Sequence, residues 1–282
     1  MNKTIYPCLW FNNNAREAAG FYKDVFEDVN ILSENQLVLM FEIYGVKFMG
    51  LNGGEMFRPN PAVSYFVYCG GDDAKIERLY ASLSKDGRVM MPLEKYDWSA
   101  KYAWVEDRFG ISWQLDIDAI NNPQKIVPAL LFANDKRAMV GEALSYYTSI
   151  FDDSRHIISF PIPSGSSMPD GALMFTQFRL KDLIFNALSG GEPVHEFDFC
   201  EGNSFVIECE TQKEIDHYWS RFAEEGMESM CGWVRDKYGV WWQVIPSMLE
   251  SLIVNSGKGQ QVGQALRQMK KIELDVLINA AQ

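Results

Sequence analysis

The chain has 282 residues, 47% of them apolar or aromatic, enough for two ordinary domains that each bury a core. Its 26 Lys and Arg against 38 Asp and Glu give a formal charge of −12, which argues against nucleic acid and favours a neutral or cationic small ligand. No run approaches the ~20 apolar residues that span a bilayer, and five cysteines (Cys8, Cys69, Cys200, Cys209, Cys231) without a C-x-x-C pair indicate neither a disulfide framework nor a zinc knuckle. A cytoplasmic protein with reduced, mostly buried thiols, no membrane partner and no nucleic-acid partner is expected.

The first half opens on Pro7-Cys8-Leu9-Trp10-Phe11. Asn14-x-x-Glu17 follows at capping-box spacing, which supplies acceptors for the free N–H groups of a helix start carrying Phe21-Tyr22 and Val25-Phe26. Runs rich in β-branched and aromatic residues at 36–44, 46–52, 63–69 and 112–117 read as strands. Between them, Ile76, Leu79, Tyr80 and Leu83 recur at i, i+3, i+4 and i+7, the pattern of a helix with one buried face.

The second half repeats the first. Trp104-Val105-Glu106-Asp107-Arg108-Phe109-Gly110-Ile111-Ser112-Trp113-Gln114 matches Trp233 to Gln243 position by position, with Ser112 answered by Trp241 and Glu106 by Arg235 as the unlike pairs. Pro128-Ala129-Leu130-Leu131-Phe132 answers the opening strand, and Leu51-Asn52-Gly53-Gly54-Glu55 matches Leu188-Ser189-Gly190-Gly191-Glu192. Strands are expected at 173–180, 182–188, 204–209 and 240–245, with a boundary near Asn121-Asn122-Pro123. Thr211-x-x-Glu214 begins a helix whose apolar positions are Ile215, Tyr218, Trp219 and Phe222. Residues 260–280 carry Val262, Leu266, Met269, Val276 and Ala280, the apolar stripe of a terminal helix that docks on its own domain or on a second copy. Each half therefore reads as strand, helix, strands, twice over: an α+β chain of four βαβββ modules.

The Trp-x-x-Asp-basic-aromatic-Gly-x-x-Trp-Gln signature, the Gly-Gly after a strand, and the tail Gln264-Ala265-Leu266-Arg267-Gln268-Met269-Lys270-Lys271-Ile272 resemble PhnB-like proteins of the vicinal-oxygen-chelate (glyoxalase and bleomycin-resistance) superfamily. The resemblance covers nearly the whole chain. It implies two glyoxalase-like curved-sheet domains at 1–120 and 125–246, a helical tail at 247–282, and an internal pseudo-dimer, with homodimerisation through the tail as a further option. Many such proteins bear the label 3-demethylubiquinone-9 3-methyltransferase. The one Gly cluster suited to a methyl-donor cofactor, Gly257-x-Gly259-x-x-x-Gly263, follows no predicted strand, and it reads as a linker.

Catalytic members of the superfamily hold a divalent metal with four strand side chains, which the resemblance carries to Pro7, Asn52, Ser64 and Gln114, and in the second half to Pro128, Ser189, Ser204 and Gln243. Proline offers no donor atom and serine a poor one, so no metal and no cofactor are expected. His156, His195 and His217 have no repeated counterparts, and no catalytic residue is assigned. Strand alternation places Leu9, Phe11, Phe48, Asn52, Ser64, Phe66, Tyr68, Ser112, Gln114 and Asp116 on one concave face, a mostly apolar and aromatic pocket. The second-half equivalents are Leu130, Phe132, Phe185, Ser189, Ser204, Val206, Glu208, Trp241 and Gln243, where Trp241 fills space that Ser112 leaves open. Between Gly87 and Trp104 the first half has an apolar insertion with Tyr96 and Trp98, readable as a lid or as a partner contact. Two readings follow: a metal-free binding protein for a small apolar or cationic molecule, or a lyase, isomerase or dioxygenase of the same superfamily. On the first, Gln114→Ala weakens binding without unfolding the domain, whereas Gln243→Ala destabilises a packed second core.

Overall fold

The computed structural model describes residues 4–118, 123–163, 165, 168–191 and 194–282. Asn121 and Asn122 of the expected boundary, and Glu192 of the repeated Gly-Gly-Glu, lie outside the described residues. Four βαβββ modules are present as expected. The first is β1 (Ile5–Phe11), α1 (Ala15–Val25), β2 (Val29–Glu34), β3 (Val38–Ile43) and β4 (Val46–Asn52). The second is β5 (Val63–Tyr68), α2 (Asp73–Leu83), β6 (Arg88–Tyr96), β7 (Ser99–Glu106) and β8 (Ser112–Asp116). The third is β9 (Ile126–Phe132), a short helical turn at Asn134–Lys136, α3 (Val140–Ile150), β10 (Ser154–Pro161), β11 (Leu173–Leu180) and β12 (Leu183–Ser189). The fourth is β13 (Asn203–Cys209), α4 (Gln212–Ala223), β14 (Met227–Glu228), β15 (Trp233–Arg235) and β16 (Trp241–Pro246).

The chain forms two compact units that do not coincide with its sequence halves: Pro7–Asn203, and Ser204–Gln282 with Met1–Tyr6. Inside the larger unit, one eight-stranded sheet runs β10-β11-β12-β9-β5-β8-β7-β6. It joins the second module to the third, not to the first, through antiparallel pairs from Val63 opposite Leu130 to Val67 opposite Ile126. In the first module β4 lies between β1, in parallel, and β3, antiparallel. In the smaller unit β16 pairs with β13 in parallel and with β15 antiparallel.

The helix-side core is built from stacked rings. Tyr22 of α1 stacks on Phe41 at 6.0 Å, and Phe41 on Phe48 at 5.4 Å. Tyr147 of α3, Phe178 and Phe185 form the matching column at 6.1 and 5.8 Å. All six rings are fully buried, each contributing roughly 1.5–3 kcal/mol by leaving water. The repeated signature explains itself here. Asp107, buried after β7, accepts from the Phe109 and Ile111 N–H groups, the Trp113 indole at 2.9 Å and the Tyr22 hydroxyl at 2.9 Å. Asp236 does the same for the N–H groups of Tyr238 and Val240 and the Trp242 indole. The motif is thus a turn lock: one carboxylate closes the hairpin, Gly110 and Gly239 supply φ values of 82° and 97°, and the tryptophan is held in the core.

Three expectations change. Asn14 makes no side-chain cap; the Asn52 Oδ1 accepts from the Ala15 N–H at 3.0 Å instead, so a strand residue caps α1 from outside the helix. Thr211 and Glu214 do form a capping box. The insertion between Gly87 and Trp104 is a β-hairpin of β6 and β7, whose irregular register disguises the strand period. The tail is three helices, α5 (Leu249–Val254), α6 (Gly259–Arg267) and α7 (Leu274–Ala280), broken at Gln268–Glu273. Its Met269 and Lys270 carbonyls accept from the Cys231 and Gly232 N–H groups, and Val262, Ile272 and Leu277 are buried, while Val276 of the expected stripe is exposed. Among the described residues no helix is long and apolar enough to cross a membrane.

Candidate functional site

Residues opposite one another in a sheet share a face, so register decides which side chains converge. On the helix-free face of the eight-stranded sheet, Ser64, Phe66 and Tyr68 stand beside Ser112, Gln114 and Asp116. Tyr102 and Trp104 of β7 extend that face on one side. Val127 and Ala129 of β9, with Asn186 and Leu188 of β12, extend it on the other. The floor is the buried set Phe66, Tyr102, Val127, Ala129 and Ile184. Tyr68, Met91, Tyr96, Trp104 and Leu188 are half-buried and pack against it, giving this face a buried floor and a half-buried, largely aromatic rim, an aromatic cup.

Polar groups in the cup are held in two short chains. The Tyr102 hydroxyl donates to Gln114 Oε1, and Gln114 Nε2 donates to Ser64 Oγ at 2.7 Å. On the other side Gln177 Nε2 donates to Asn186 Oδ1 at 2.9 Å, and Asn186 Nδ2 to the Tyr68 hydroxyl at 3.2 Å. Burial pushes the Tyr68 phenol up to about 12. Trp104 Nε1 donates to Ser112 Oγ at 2.6 Å. Asp116 is the buried carboxylate of this face, which Glu106 and Glu94 share at the β6–β7 hairpin; it accepts from Ser99 Oγ at 2.8 Å and from the Asp118 N–H at 3.1 Å, and burial holds it above the usual carboxylate range. At the rim Tyr96 stacks on Trp98 at 5.0 Å, and both rings meet Tyr102 edge-on at 5.6 Å. Trp98 keeps 55% of its surface in solvent.

Eight expected site residues lie elsewhere. Phe48, Leu9 and Phe11 face the helices: Phe48 sits in the ring column, and a Cβ added at Gly50 would meet Ala15 of α1 at 3.1 Å and Phe11 at 3.3 Å. Asn52 is the cap of α1. Leu130, Phe132 and Ser189 share the opposite face of their sheet from Ala129 and Asn186, as does Phe185 in its column. The carry-over onto Pro7 and Pro128 was one residue out, and a one-residue slip in a strand reverses every side chain. Sequence reasoning missed Tyr102, Trp104, Val127, Ala129, Gln177, Ile184 and Asn186; the signal needed was the pairing of β5 with β9.

In the fourth module Ser204, Val206 and Glu208 share a face with Trp241 and Gln243. Gln243 Nε2 donates to Ser204 Oγ at 3.0 Å, and the Tyr6 hydroxyl donates to Glu208 at 2.6 Å. Trp241 stands where the second module has Ser112 and meets the Trp233 ring at 6.2 Å, replacing the indole-to-serine hydrogen bond with a ring contact.

A divalent metal needs several N, O or S donors aimed at one point. Among the described residues no three His, Cys, Asp or Glu side chains gather in that way. At the Gln114 position both amide atoms are already engaged, by Ser64 and Tyr102, so the donor set does not fit a metal centre. His195 bonds the Gly190 carbonyl at 2.7 Å, His156 pairs with Ser159 at 2.8 Å, and His217 is exposed on α4. Gly257 lies between two helices, α5 and α6, and Gly259 opens α6, so neither follows a strand.

Paired βαβββ modules sharing an eight-stranded sheet are the architecture that the vicinal-oxygen-chelate resemblance implied. The model of the family described as 3-demethylubiquinone-9 3-methyltransferase matches residues 3–116 and again 124–245, and the chain belongs to that family. Among solved structures it is similar to the PhnB protein from Bacillus cereus, at 30% identity and a TM-score of 0.38, over 40% of this chain and 98% of that one. A protein from Staphylococcus aureus is likewise 30% identical, over 42% of this chain and all of that one, with a TM-score of 0.19. Glyoxalase I from Zea mays shares the fold at 9% identity and a TM-score of 0.57, over 86% of this chain and 91% of that one. Comparison with curated proteins gives no match.

Proposed function

We propose that this protein binds a small, mostly apolar molecule carrying a delocalised positive charge, in the cup between the second and third modules. The observation that carries the reading is the cup itself: half-buried Tyr68, Tyr96 and Trp104 supply ring surface, and Asp116 stands on the same face as a buried carboxylate. Aromatic faces attract cations by about 0.5–2 kcal/mol each, and a partly desolvated carboxylate adds to that attraction. The polar chains are satisfied within the protein, so they shape the cup without requiring a polar ligand. The acid surplus of the chain acts in the same direction at longer range. A cytoplasmic setting accords with the five free cysteines. The single-chain pairing of second and third modules supports an internal pseudo-dimer, and light scattering would establish whether copies associate further.

Tetraphenylphosphonium is a suitable probe, measured by calorimetry against the neutral triphenylphosphine oxide. The cation should bind one site per chain and the neutral analogue several-fold more weakly, and Asp116→Asn should remove most of the difference. Equal binding of the two compounds would refute the charge preference, and no binding of either would refute the reading. Tightly bound stoichiometric metal in protein purified without chelator would favour the enzymatic alternative.

A further inference from the structure

A second cavity, of about 410 Å³, lies outside the cup, where the end of β1, the segment before β5 and the β7–β8 turn meet. Its volume falls in the range of small-molecule sites. The walls combine ring surface with guanidinium groups. Trp10 and Phe57 meet edge-to-face at 4.9 Å, and Phe109 lines the turn. Trp10 is fixed: its indole donates to the Gly54 carbonyl at 2.8 Å, and a Cβ on Gly53 would lie 2.0 Å from the ring, so the indole packs flat on a glycine backbone. A rigid aromatic wall loses little entropy when a flat ligand lies against it.

Three arginines line this one cavity in a chain with 26 Lys and Arg against 38 Asp and Glu. Arg88 is paired with Glu106 at 3.0 Å, and Arg108 stands 3.6 Å from Asp86 with its guanidinium 4.5 Å over the Phe21 ring. Asp107 is turned away into its four-donor lock and presents no free oxygen. The local acids are therefore spoken for. Arg58 stands on the exposed lip; its carbonyl accepts from the Cys200 thiol at 3.3 Å, while its guanidinium makes no hydrogen bond or ion pair with any described residue. Asn14, at the start of α1, makes no side-chain cap and leaves its amide donors open to the same cavity. Five N–H donors on a planar fork are suited to an oxyanion, and a neighbouring amide adds a sixth contact of the same kind.

We propose that this cavity is a second binding site, for a small aromatic anion whose ring lies against Trp10 and Phe57 and whose carboxylate or phosphate is taken by Arg58 with the Asn14 amide. It is separate in place and in charge preference from the cup.

The test uses the full chain and 1-naphthoate, with 1-naphthalenemethanol as the neutral comparison, by calorimetry at low and at moderate salt. One naphthoate should bind per chain, weakening with salt, and the alcohol should bind much less tightly. Arg58→Gln should weaken naphthoate about tenfold or more, the loss expected for a charge-assisted bidentate contact. Arg155→Gln, an exposed arginine on β10, should leave it unchanged, and saturating tetraphenylphosphonium should not displace it. Because Arg58 is exposed, its variant should keep the wild-type circular dichroism spectrum and Tm; Trp10→Phe, which keeps a ring, should bind better than Trp10→Leu. No naphthoate binding at millimolar concentration, unchanged affinity in Arg58→Gln, or displacement by tetraphenylphosphonium would overturn the proposal. Failure of tetraphenylphosphonium alone to bind would count against the cup and leave this site standing.

Discussion

Replacing Gln114 with alanine strands two partners at once. Its Nε2 is the donor to Ser64 Oγ and its Oε1 the acceptor from the Tyr102 hydroxyl, and Ser64, Tyr102 and Gln114 are 0%, 3% and 2% exposed. Each buried polar group left without a partner costs about 1–3 kcal/mol. The hydroxyls of Ser64 and Tyr102 can turn toward other acceptors, so about 2–3 kcal/mol is expected for Gln114→Ala, near the lower end of the sum of two such penalties. Gln243 has one side-chain bond among the described residues, to Ser204, and Gln243→Ala should cost about 1–2 kcal/mol. This order reverses the expectation from sequence, which made Gln243 the structural residue and Gln114 the ligand-orienting one whose loss leaves the domain folded. Urea unfolding of both variants, read at the midpoint with the slope checked for constancy, gives the two values. A cycle with Tyr102→Phe should show about 1 kcal/mol of coupling between Tyr102 and Gln114. A cost for Gln114→Ala below that of Gln243→Ala, or coupling near zero, would refute the assignment of these bonds.

Burial holds Asp107 up to about 6, above the value near 3.8 that it has when exposed, so the folded protein binds a proton that the unfolded chain has released between those values. Its stabilising share is complete below about pH 4 and is lost as pH rises through about 6, so wild-type Tm relative to Asp107→Asn should fall over that window; a flat difference from pH 4 to 7 would contradict it. Asn52→Ala should cost about 1 kcal/mol by uncapping α1 and leave tetraphenylphosphonium affinity intact, measured by urea titration and calorimetry. Trp98→Ala removes a half-exposed ring from the rim and should change Tm little while weakening tetraphenylphosphonium about three- to tenfold.

The strands legible in the sequence were those with buried faces. β5, β12 and β16 read as nearly continuous apolar runs, and β8 as an alternation of Trp113 and Leu115 with Ser112, Gln114 and Asp116, in strands whose residues are almost all buried. β2 and β10 sit at sheet edges with alternating or largely exposed residues, and β6 carries Pro92 and Glu94, so none of them shows the periodicity of a core strand. Helix faces were readable for α2 and α4, where burial follows the i, i+3, i+4 pattern. Half of the site was readable as well, wherever alternation was counted from Gln114 or Gln243, since those glutamines do face the serines across β5 and β13. The other wall could not be found by alternation alone. Whether Ala129 or Leu130 faces the cup depends on which strand β9 joins, and that is a property of chain topology with no local signature.

The sheet that crosses the repeat boundary separates two ideas of a unit. What was copied to make this sequence runs from strand β1 to β8 and again from β9 to β16, but the hydrogen bonds of Val63–Val67 tie the middle of the first copy to the opening of the second. A gene cut at the seam would yield a first fragment whose β5 displays a bare, mostly apolar edge from Val63 to Val67, the form of strand that recruits neighbours. Such a fragment would be inherited whole yet unable to stand alone in water. The two copies, once fused, are committed to each other through the centre of this sheet, a tie that its outer hairpins do not carry.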